Sequence, residues 1–202
     1  MLVTGGGTGI GAETAHYFAA AGASRVALLG RREQPLLDTK ASIEEKFPGV
    51  DVFTASTDIT KKSDVDVAFA KFVGNGKINV VVSNAAIMGP HGPVTADLDA
   101  DKFLENIQQN LTGSLYVAQA FLRYAAPNAV AIEVSSFVAH LNFTTAIASY
   151  SVAKMAIVRL WDNLGLAHPE ISVFHVQPGV VDTEINREIG GVAAAGYEDD
   201  GK

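Results

Sequence analysis

Residues 1–13 read MLVTGGGTGIGAE, in which a short apolar run leads into five glycines within seven positions. Gly5, Gly9 and Gly11 lie between this run, which resembles the end of a strand, and a segment with the apolar pattern of an amphipathic helix. Glycines at such a junction permit a tight turn and let a phosphate approach the N–H groups at the helix start. A simple turn does not need this spacing, so the stretch predicts a nucleotide-binding loop rather than a loose tail.

The composition limits the classes of function. The chain has 202 residues, of which 48% are hydrophobic, and this suits one globular domain with a sizeable core. A net charge of −7 without a basic stripe argues against binding to nucleic acid or an anionic membrane. The absence of cysteine excludes disulfides, thiol catalysis and a cysteine-based zinc site. Neither a membrane span nor the basic start of a signal peptide is found, so we expect a cytoplasmic protein.

Short apolar runs alternate with longer segments of helical pattern. The runs predict strands at residues 2–4, 25–29, 50–55, 78–83, 129–135 and 171–176. The longer segments predict helices at residues 10–21, 33–47, 61–73, 100–126 and 150–167. The runs show little alternation, as expected of parallel strands covered on both faces. We therefore predict an α/β fold, a Rossmann-like doubly wound parallel sheet in the order 3-2-1-4-5-6 with helices on both faces.

The glycine spacing narrows the kind of nucleotide site. Thr4–Gly11 has the pattern T-G-x-x-x-G-x-G, which differs from the common G-x-G-x-x-G fingerprint and resembles the short-chain dehydrogenase/reductase family. The resemblance implies one NAD(P)-binding domain over residues 1–202. It also implies more chain at both ends, so we expect a shortened first strand and a C-terminal substrate region that is cut short. The small and polar residues 190–202 predict a flexible tail.

The end of the second predicted strand bears on the choice of cofactor. An acidic residue there would bind a ribose 2′-hydroxyl and favour NAD, but this chain has Gly30, Arg31 and Arg32. A guanidinium suits a 2′-phosphate through charge-assisted hydrogen bonds. The alternative is two solvated arginines at a helix start, although cations are not favoured near a helix N-terminus. We predict a preference for NADP(H), with Arg31 the stronger candidate and NAD(H) possible.

The segment YSVAK places Tyr150 and Lys154 four residues apart, on one face of a helix. A free tyrosine has a pKa of about 10, which is too high for efficient acid–base catalysis near neutral pH. A nearby ammonium stabilises the phenolate and lowers that pKa. The spacing predicts that Lys154 tunes Tyr150 as a proton donor or acceptor, and an ordinary amphipathic helix is the alternative.

Two further polar residues complete the predicted catalytic set. Ser136 follows the fifth predicted strand and lies 14 residues before Tyr150, an offset that resembles the family's catalytic serine. The resemblance implies that it hydrogen-bonds the substrate oxygen. Asn110 lies within a predicted helix, where the resemblance implies that it holds a water linking Lys154 to solvent. The alternatives are a serine pair at a loop start and an exposed helical asparagine.

Three motifs resemble the rest of the family's cofactor site. In TDIT, Asp58 takes the position of the family's adenine contact, although the same residue could be a helix N-cap. SNAA resembles the family's N-N-A-G motif: Asn84 is kept, whereas Ser83 and Ala86 differ. QPGVVDT resembles the P-G-x-x-x-T motif near the nicotinamide. The predicted cofactor-binding residues are Gly5, Thr8, Gly9, Ile10, Gly11, Arg31, Arg32, Asp58, Ile59, Asn84, Ala85, Tyr150, Lys154, Pro178, Gly179, Val181 and Thr183.

Other polar and aromatic residues are weaker candidates. His91 and His140 could border the substrate pocket, whereas His175 in an apolar run is interpreted as a satisfied core residue and Trp161 as a packing or subunit contact. The sequence shows neither metal-ligand spacing nor the G-x-S-x-G elbow of hydrolases. We therefore expect no metal site.

The resemblance implies an NADP(H)-dependent oxidoreductase that interconverts a ketone or aldehyde and an alcohol, with a small molecule as substrate. It also implies a homodimer or tetramer formed through the helices at residues 100–126 and 150–167. The alternative is a nucleotide-binding relative with little or no redox activity, because the C-terminal substrate region is cut short.

Overall fold

Six strands form one sheet at the centre of the computed structural model, which describes residues 1–142, 144–188 and 190–191. The strands are β1 (Leu2–Thr4), β2 (Arg25–Gly30), β3 (Asp51–Ser56), β4 (Ile78–Ser83), β5 (Ala125–Val134) and β6 (Ser172–Val176). They pair in the order β3-β2-β1-β4-β5-β6, every neighbouring pair is parallel, and the predicted fold class and strand order are confirmed. Most of the predicted tail, residues 192–202, lies outside the described residues.

Helices cover both faces of the sheet. They are α1 (Gly9–Ala20), α2 (Glu33–Lys46), α3 (Lys62–Val73), α4 (Ala100–Tyr124), α5 (Ala148–Ala167) and the short α6 (Glu184–Arg187), with one turn of 3-10 helix at Phe137–Ala139. Successive strand residues point to opposite faces. Leu2 accordingly packs in the core beneath α3, α4 and α5, while Val3 packs beneath α1 and α2. Both faces of β1 are buried, so its sequence shows no alternation.

The start of β5 differs from the prediction. The helix predicted to reach residue 126 ends at Tyr124, and Ala125 already pairs with Ile78 of β4. Pro127 has no N–H and cannot continue a helix. Asn128 takes a φ of 58°, and the pairing between β4 and β5 shifts register nearby. The predicted boundary was wrong because pairing with a distant strand, rather than local composition, decides where β5 begins.

The parallel strands bring their carboxyl ends to one edge of the sheet. β1 lies between β2 and β4, at the point where the strand order reverses, and ligands of such sheets bind in the crevice that opens there. The loops that follow β1, β4, β5 and β6 all meet at this edge. Within the part of the chain that the structure describes, no helix combines the length and the hydropathy needed to cross a bilayer.

Candidate active site

A cleft of about 840 Å³ opens at the carboxyl edge of the sheet. The sequence-predicted residues that line it are Gly5, Thr8, Gly9, Ile10, Arg31, Arg32, Ile59, Asn84, Ala85, Asn110, Ser136, Tyr150, Lys154, Pro178, Gly179, Val181 and Thr183. Gly11 and Asp58 are predicted site residues that do not belong to this lining. The cleft thus joins the glycine loop and the predicted catalytic residues in one cavity.

The glycine loop is held in a shape that only glycine fits. Gly5 and Gly9 have φ values of 68° and 52°, and a Cβ on Gly9 would lie 2.9 Å from Cγ2 of Thr183. A Cβ on Gly11 would lie 2.2 Å from the Gly5 carbonyl oxygen, so this glycine lets α1 pack against the loop instead of facing the cleft. Within the described residues, the Thr8 side chain makes no capping hydrogen bond to α1. The first-turn N–H groups therefore suit a pyrophosphate.

Hydrogen bonds between β1 and the loop after β4 fix the floor of the crevice. Thr4 Oγ1 accepts from the backbone N–H groups of Asn84 and Ala85, both at 3.0 Å. The Asn84 side-chain Nδ2 donates to the Thr4 carbonyl oxygen at 2.9 Å. Asn84, the residue that SNAA shares with the family motif, thus ties the glycine loop to β4.

The two arginines after β2 both line the cleft, and Arg32 is ion-paired. Arg32 forms a two-pronged ion pair with Glu184 of α6, in which Nη1 lies 3.0 Å from Oε1 and Nη2 contacts Oε2. The hydrogen bond and charge of Glu184 raise the pKa of Arg32, and Arg32 in turn lowers the pKa of Glu184. Sequence reasoning missed Glu184, because nothing near Arg32 in the chain points to a partner 152 residues away.

Asp58 is engaged with its own loop. Its Oδ1 accepts from the N–H of Thr60 at 3.0 Å and from Thr60 Oγ1 at 2.8 Å. Burial acts to raise the pKa of Asp58, but the Thr60 hydrogen bonds and the charges of Lys61 and Arg31 lower it overall. The carboxylate organises the turn before α3, and the adenine contact stays a prediction.

Tyr150 and Lys154 lie at the start of α5, and Ser136 lies just after β5. Lys154 is buried, and its Nζ donates to the Val134 carbonyl oxygen at 2.5 Å. The same Nζ lies 5.8 Å from the centre of the Tyr150 ring and 3.6 Å from Oε1 of Glu133. Ser136 is half-buried and lines the same cleft. The structure therefore places the three residues in the lining of one cavity.

The electrostatics of this group differ from the simple expectation of a lysine tuning a tyrosine. Burial, and then the negative charge of Glu133, raise the pKa of Tyr150. Burial also lowers the pKa of Lys154, while Glu133 opposes that shift. Sequence reasoning missed Glu133, although a carboxylate inside the apolar run AVAIEVSS (residues 129–136) was a signal that could have found it.

The family model for short chain dehydrogenase matches residues 1–191 of this chain. The chain belongs to the short-chain dehydrogenase/reductase family. Proteins of this family are NAD(P)-dependent oxidoreductases that act on alcohol and carbonyl groups, so the predicted family and class of enzyme are confirmed at that level.

Individual relatives match most of this chain. Short chain dehydrogenase tazN of Aspergillus terreus is 33% identical over 193 residues, which cover 92% of this chain and 41% of tazN. Sorbose reductase sou1 of Schizosaccharomyces pombe is 33% identical over 91% of this chain and 73% of its own length. The structure of an alcohol dehydrogenase from the archaeon Thermococcus sibiricus, complexed with 5-hydroxy-NADP, superimposes with a TM-score of 0.81 at 28% identity, covering 90% of this chain and 77% of that one. The chain thus spans less than half of tazN.

Asn110, the fourth residue of the family's predicted catalytic set, anchors the loop after β4. Its Oδ1 accepts from the N–H of Ile87, and its Nδ2 donates to the carbonyl oxygens of Ile87 and Asn106, all at 3.0 Å. These bonds fix the loop against α4 beside the Tyr150 end of the cleft. The role in holding a water stays a prediction.

An apolar wall stands next to Tyr150. Met88, Val138 and Ile147 form a buried cluster, with Tyr150 and Ile185 packed against it. All five residues line the cleft. The lining of the cleft is therefore apolar next to Tyr150.

The weaker candidates fall outside the cleft. Its described lining includes neither His91 nor His140. Trp161 is fully buried and its Nε1 donates to Ser114 Oγ at 2.9 Å, which confirms a packing role. His175 contacts two carboxylates, so it is satisfied, but it lies partly exposed on the edge strand β6 and the prediction of a core residue was wrong. Among the described residues, no group of three or more metal-ligating side chains comes together.

Proposed function

We propose that this short-chain dehydrogenase/reductase is an NADP(H)-dependent oxidoreductase that interconverts a ketone or aldehyde and an alcohol. The observation that carries the proposal is the arrangement of Ser136, Tyr150 and Lys154 in the same cleft as the glycine loop. Phosphate-binding backbone and acid–base side chains in one cavity suit a reaction between a bound dinucleotide and a small molecule.

The residues of the cleft fit a dinucleotide. The first turn of α1 and the loop at Gly5 and Gly9 would hold the pyrophosphate, and Asn84 and Thr183 would border the remaining part. The nicotinamide ring supplies a hydride when the cofactor is bound. Arg31 and Arg32 support a preference for NADP(H), because guanidinium groups match a 2′-phosphate.

The side chains handle the proton and the orientation of the substrate. In the direction of reduction, the Tyr150 hydroxyl gives its proton to the carbonyl oxygen, and the Ser136 hydroxyl donates a hydrogen bond that holds this oxygen in place. Lys154 offsets the charge that develops on Tyr150 when its proton leaves. Asn110 keeps the loop after β4 in position through Ile87. Oxidation of an alcohol uses the same groups in reverse.

The cleft and the surface favour particular partners. The apolar wall favours carbonyl compounds with an apolar body over sugars. Val152 and Met155 of α5 are exposed apolar residues, which is consistent with the predicted dimer or tetramer formed through the long helices. The cytoplasmic location stays a prediction from the sequence.

Tyr150→Phe tests the proposed chemistry. The variant keeps the ring and removes the proton, so we expect the turnover number to fall by about 100-fold or more, while the NADPH dissociation constant is unchanged. Turnover is followed by the loss of NADPH absorbance with a panel of aliphatic, cyclic and aromatic ketones and a ketose. Tyr17→Phe, at an exposed tyrosine of α1, is the matched control. Unchanged turnover in Tyr150→Phe would refute the assignment.

A nucleotide-binding protein with little redox activity is the second candidate. One observation favours it, because burial and the Glu133 charge hold the pKa of Tyr150 above its ordinary value and so oppose loss of its proton. Binding of NADPH without turnover of any carbonyl in the panel would support this candidate and exclude the first.

A further inference from the structure

A buried carboxylate lies at ion-pair distance from the proposed catalytic lysine. Glu133 lies near the end of β5 and is only 1% exposed. Its Oε1 lies 3.6 Å from Lys154 Nζ, an ion-pair distance, and has no hydrogen-bond partner among the described residues. Its Oε2 lies 3.0 Å from Nδ1 of His175. Glu133 therefore contacts the lysine with one oxygen and a histidine with the other.

His175 connects Glu133 to a residue nearer the solvent. It is the register partner of Glu133 on β6, and its Nε2 lies 3.1 Å from Oδ1 of Asp162 on α5. The side chains of His175 and Asp162 are 22% and 36% exposed, against 1% for Glu133. The three residues thus form a continuous series of polar contacts from the buried lysine to the protein surface.

His175 and the two carboxylates that it contacts need one proton more than a neutral imidazole and two ionised carboxylates carry. A neutral imidazole has one N–H, and ionised carboxylates only accept hydrogen bonds. Both ring nitrogens of His175 face a carboxylate oxygen, so making both bonds requires an additional proton, either on the ring or on a carboxyl group. The charged group that faces Asp162 from its other side is Arg159, whose Nη1 lies 3.2 Å from Oδ2.

The hydrogen bond that Lys154 makes to the backbone does not supply a proton. The Val134 carbonyl oxygen accepts a hydrogen bond from Nζ but has no proton to return. Within the described part of the chain, Glu133 is the acid–base group at ion-pair distance from Lys154.

We propose that Glu133, His175 and Asp162 form a proton path that resupplies the Lys154–Tyr150 pair, a role that rests on the proposed function. In reduction, the Tyr150 O–H bond breaks as its proton joins the substrate oxygen. The Lys154 ammonium gives up a proton that restores the Tyr150 hydroxyl. Protonated His175 then gives its ring proton to the Glu133 carboxylate, and Glu133 passes this proton to the neutral Lys154 amine and returns to its ionised form. Solvent then reprotonates His175 at the Asp162 end. No electrons move along this path, and oxidation of an alcohol runs it in reverse.

Replacement of the partly exposed His175 separates proton supply from packing. His175→Ala is expected to lower the turnover number by about 10-fold or more with the best ketone of the panel, with the NADPH dissociation constant unchanged. Wild-type turnover is expected to fall as the shared proton leaves at higher pH, and the pH profile of His175→Ala is expected to lack this fall. Imidazole and methylimidazoles in the buffer are expected to restore turnover, to an extent that depends on the pKa of each compound.

Two further variants complete the test. Glu133→Gln, which keeps the shape but cannot relay a proton, is expected to show the same loss without rescue by imidazole. His168→Ala, at a surface histidine that pairs with Glu170, is the control and is expected to behave as wild type with and without imidazole. Wild-type turnover in His175→Ala, or a loss that no imidazole restores, would overturn the proposal in favour of a merely structural contact.

A readout without substrate distinguishes failure of this proposal from failure of the proposed function. The His175 ring signals in a nuclear magnetic resonance pH titration can be assigned by their absence in His175→Ala. Lys154→Met is expected to shift the His175 titration midpoint and leave that of His168 unchanged. An unshifted His175 would overturn the coupling even if the enzyme turned over, and a shifted His175 without turnover in wild type would place the failure in the proposed function.

Discussion

The glycine loop lines the cleft, whereas the Glu133–His175 series lies outside it and contacts its lining through Lys154, and the two regions differ in the groups that form them. The loop consists of backbone, and its shape depends on residues close together in the chain, such as Gly5 and Gly11. The series consists of buried charged side chains from β5, β6 and α5. A steric fault should therefore damage the first region, and an unbalanced charge should damage the second.

The largest stability effect is expected in the charged region. Lys154→Met leaves Glu133 buried without its cation, and removing one partner of a buried pair typically costs about 3–5 kcal/mol. We expect the lower end, about 3 kcal/mol in the free energy of unfolding, because His175 still contacts Glu133. Urea unfolding followed by circular dichroism measures the change.

The double variant Lys154→Met with Glu133→Gln tests the cause. The double variant leaves no unpaired charge buried, so it should regain most of the unfolding free energy that Lys154→Met loses. Lys62→Met removes the cation of an exposed pair with Asp66 and serves as the control, with an expected loss of at most about 1 kcal/mol. A double variant no more stable than the single one would show that packing, rather than charge, explains the effect.

A smaller effect is expected in the backbone region. In Gly11→Ala the new Cβ meets the Gly5 carbonyl oxygen at 2.2 Å, so α1 and the loop must separate. Overpacking of this kind typically costs about 1–3 kcal/mol, and we expect NADPH binding to weaken by about 10-fold or more. Fluorescence titration with NADPH and thermal unfolding measure the two effects.

Gly49→Ala is the matched control for the loop. An added Cβ at Gly49 would have no described heavy atom within 4 Å, and the residue does not have a positive φ. We expect neither binding nor stability to fall. If Gly11→Ala also bound NADPH normally, the close packing of α1 on the loop would not be needed for the cofactor.

The same contrast explains what the sequence could predict. The glycine loop and the Tyr150–Lys154 pair were found because one turn or one helix face determines their geometry. The strand order followed from the alternation of strands and helices, and the structure confirms it. The contact between Glu133 and His175 depends on the register of β5 on β6, across 42 residues of chain, and no local pattern encodes it. The early start of β5 escaped prediction for the same reason.

The smallest effect is expected at the exposed ion pair between Arg32, which follows β2, and Glu184 of α6. A 2′-phosphate must compete with the Glu184 carboxylate for Arg32. An exposed pair contributes about 0.2–1 kcal/mol, so Glu184→Gln should tighten NADPH binding by roughly 2- to 5-fold and leave NADH binding unchanged. Arg32→Ala should weaken NADPH binding alone. Asp182→Asn, which removes the carboxylate partner of Arg187 on the same segment, is the control. Fluorescence titrations measure the binding of both cofactors. If Arg32→Ala weakened NADPH and NADH binding equally, Arg32 would only connect the end of β2 to α6. The cofactor preference would then depend on Arg31.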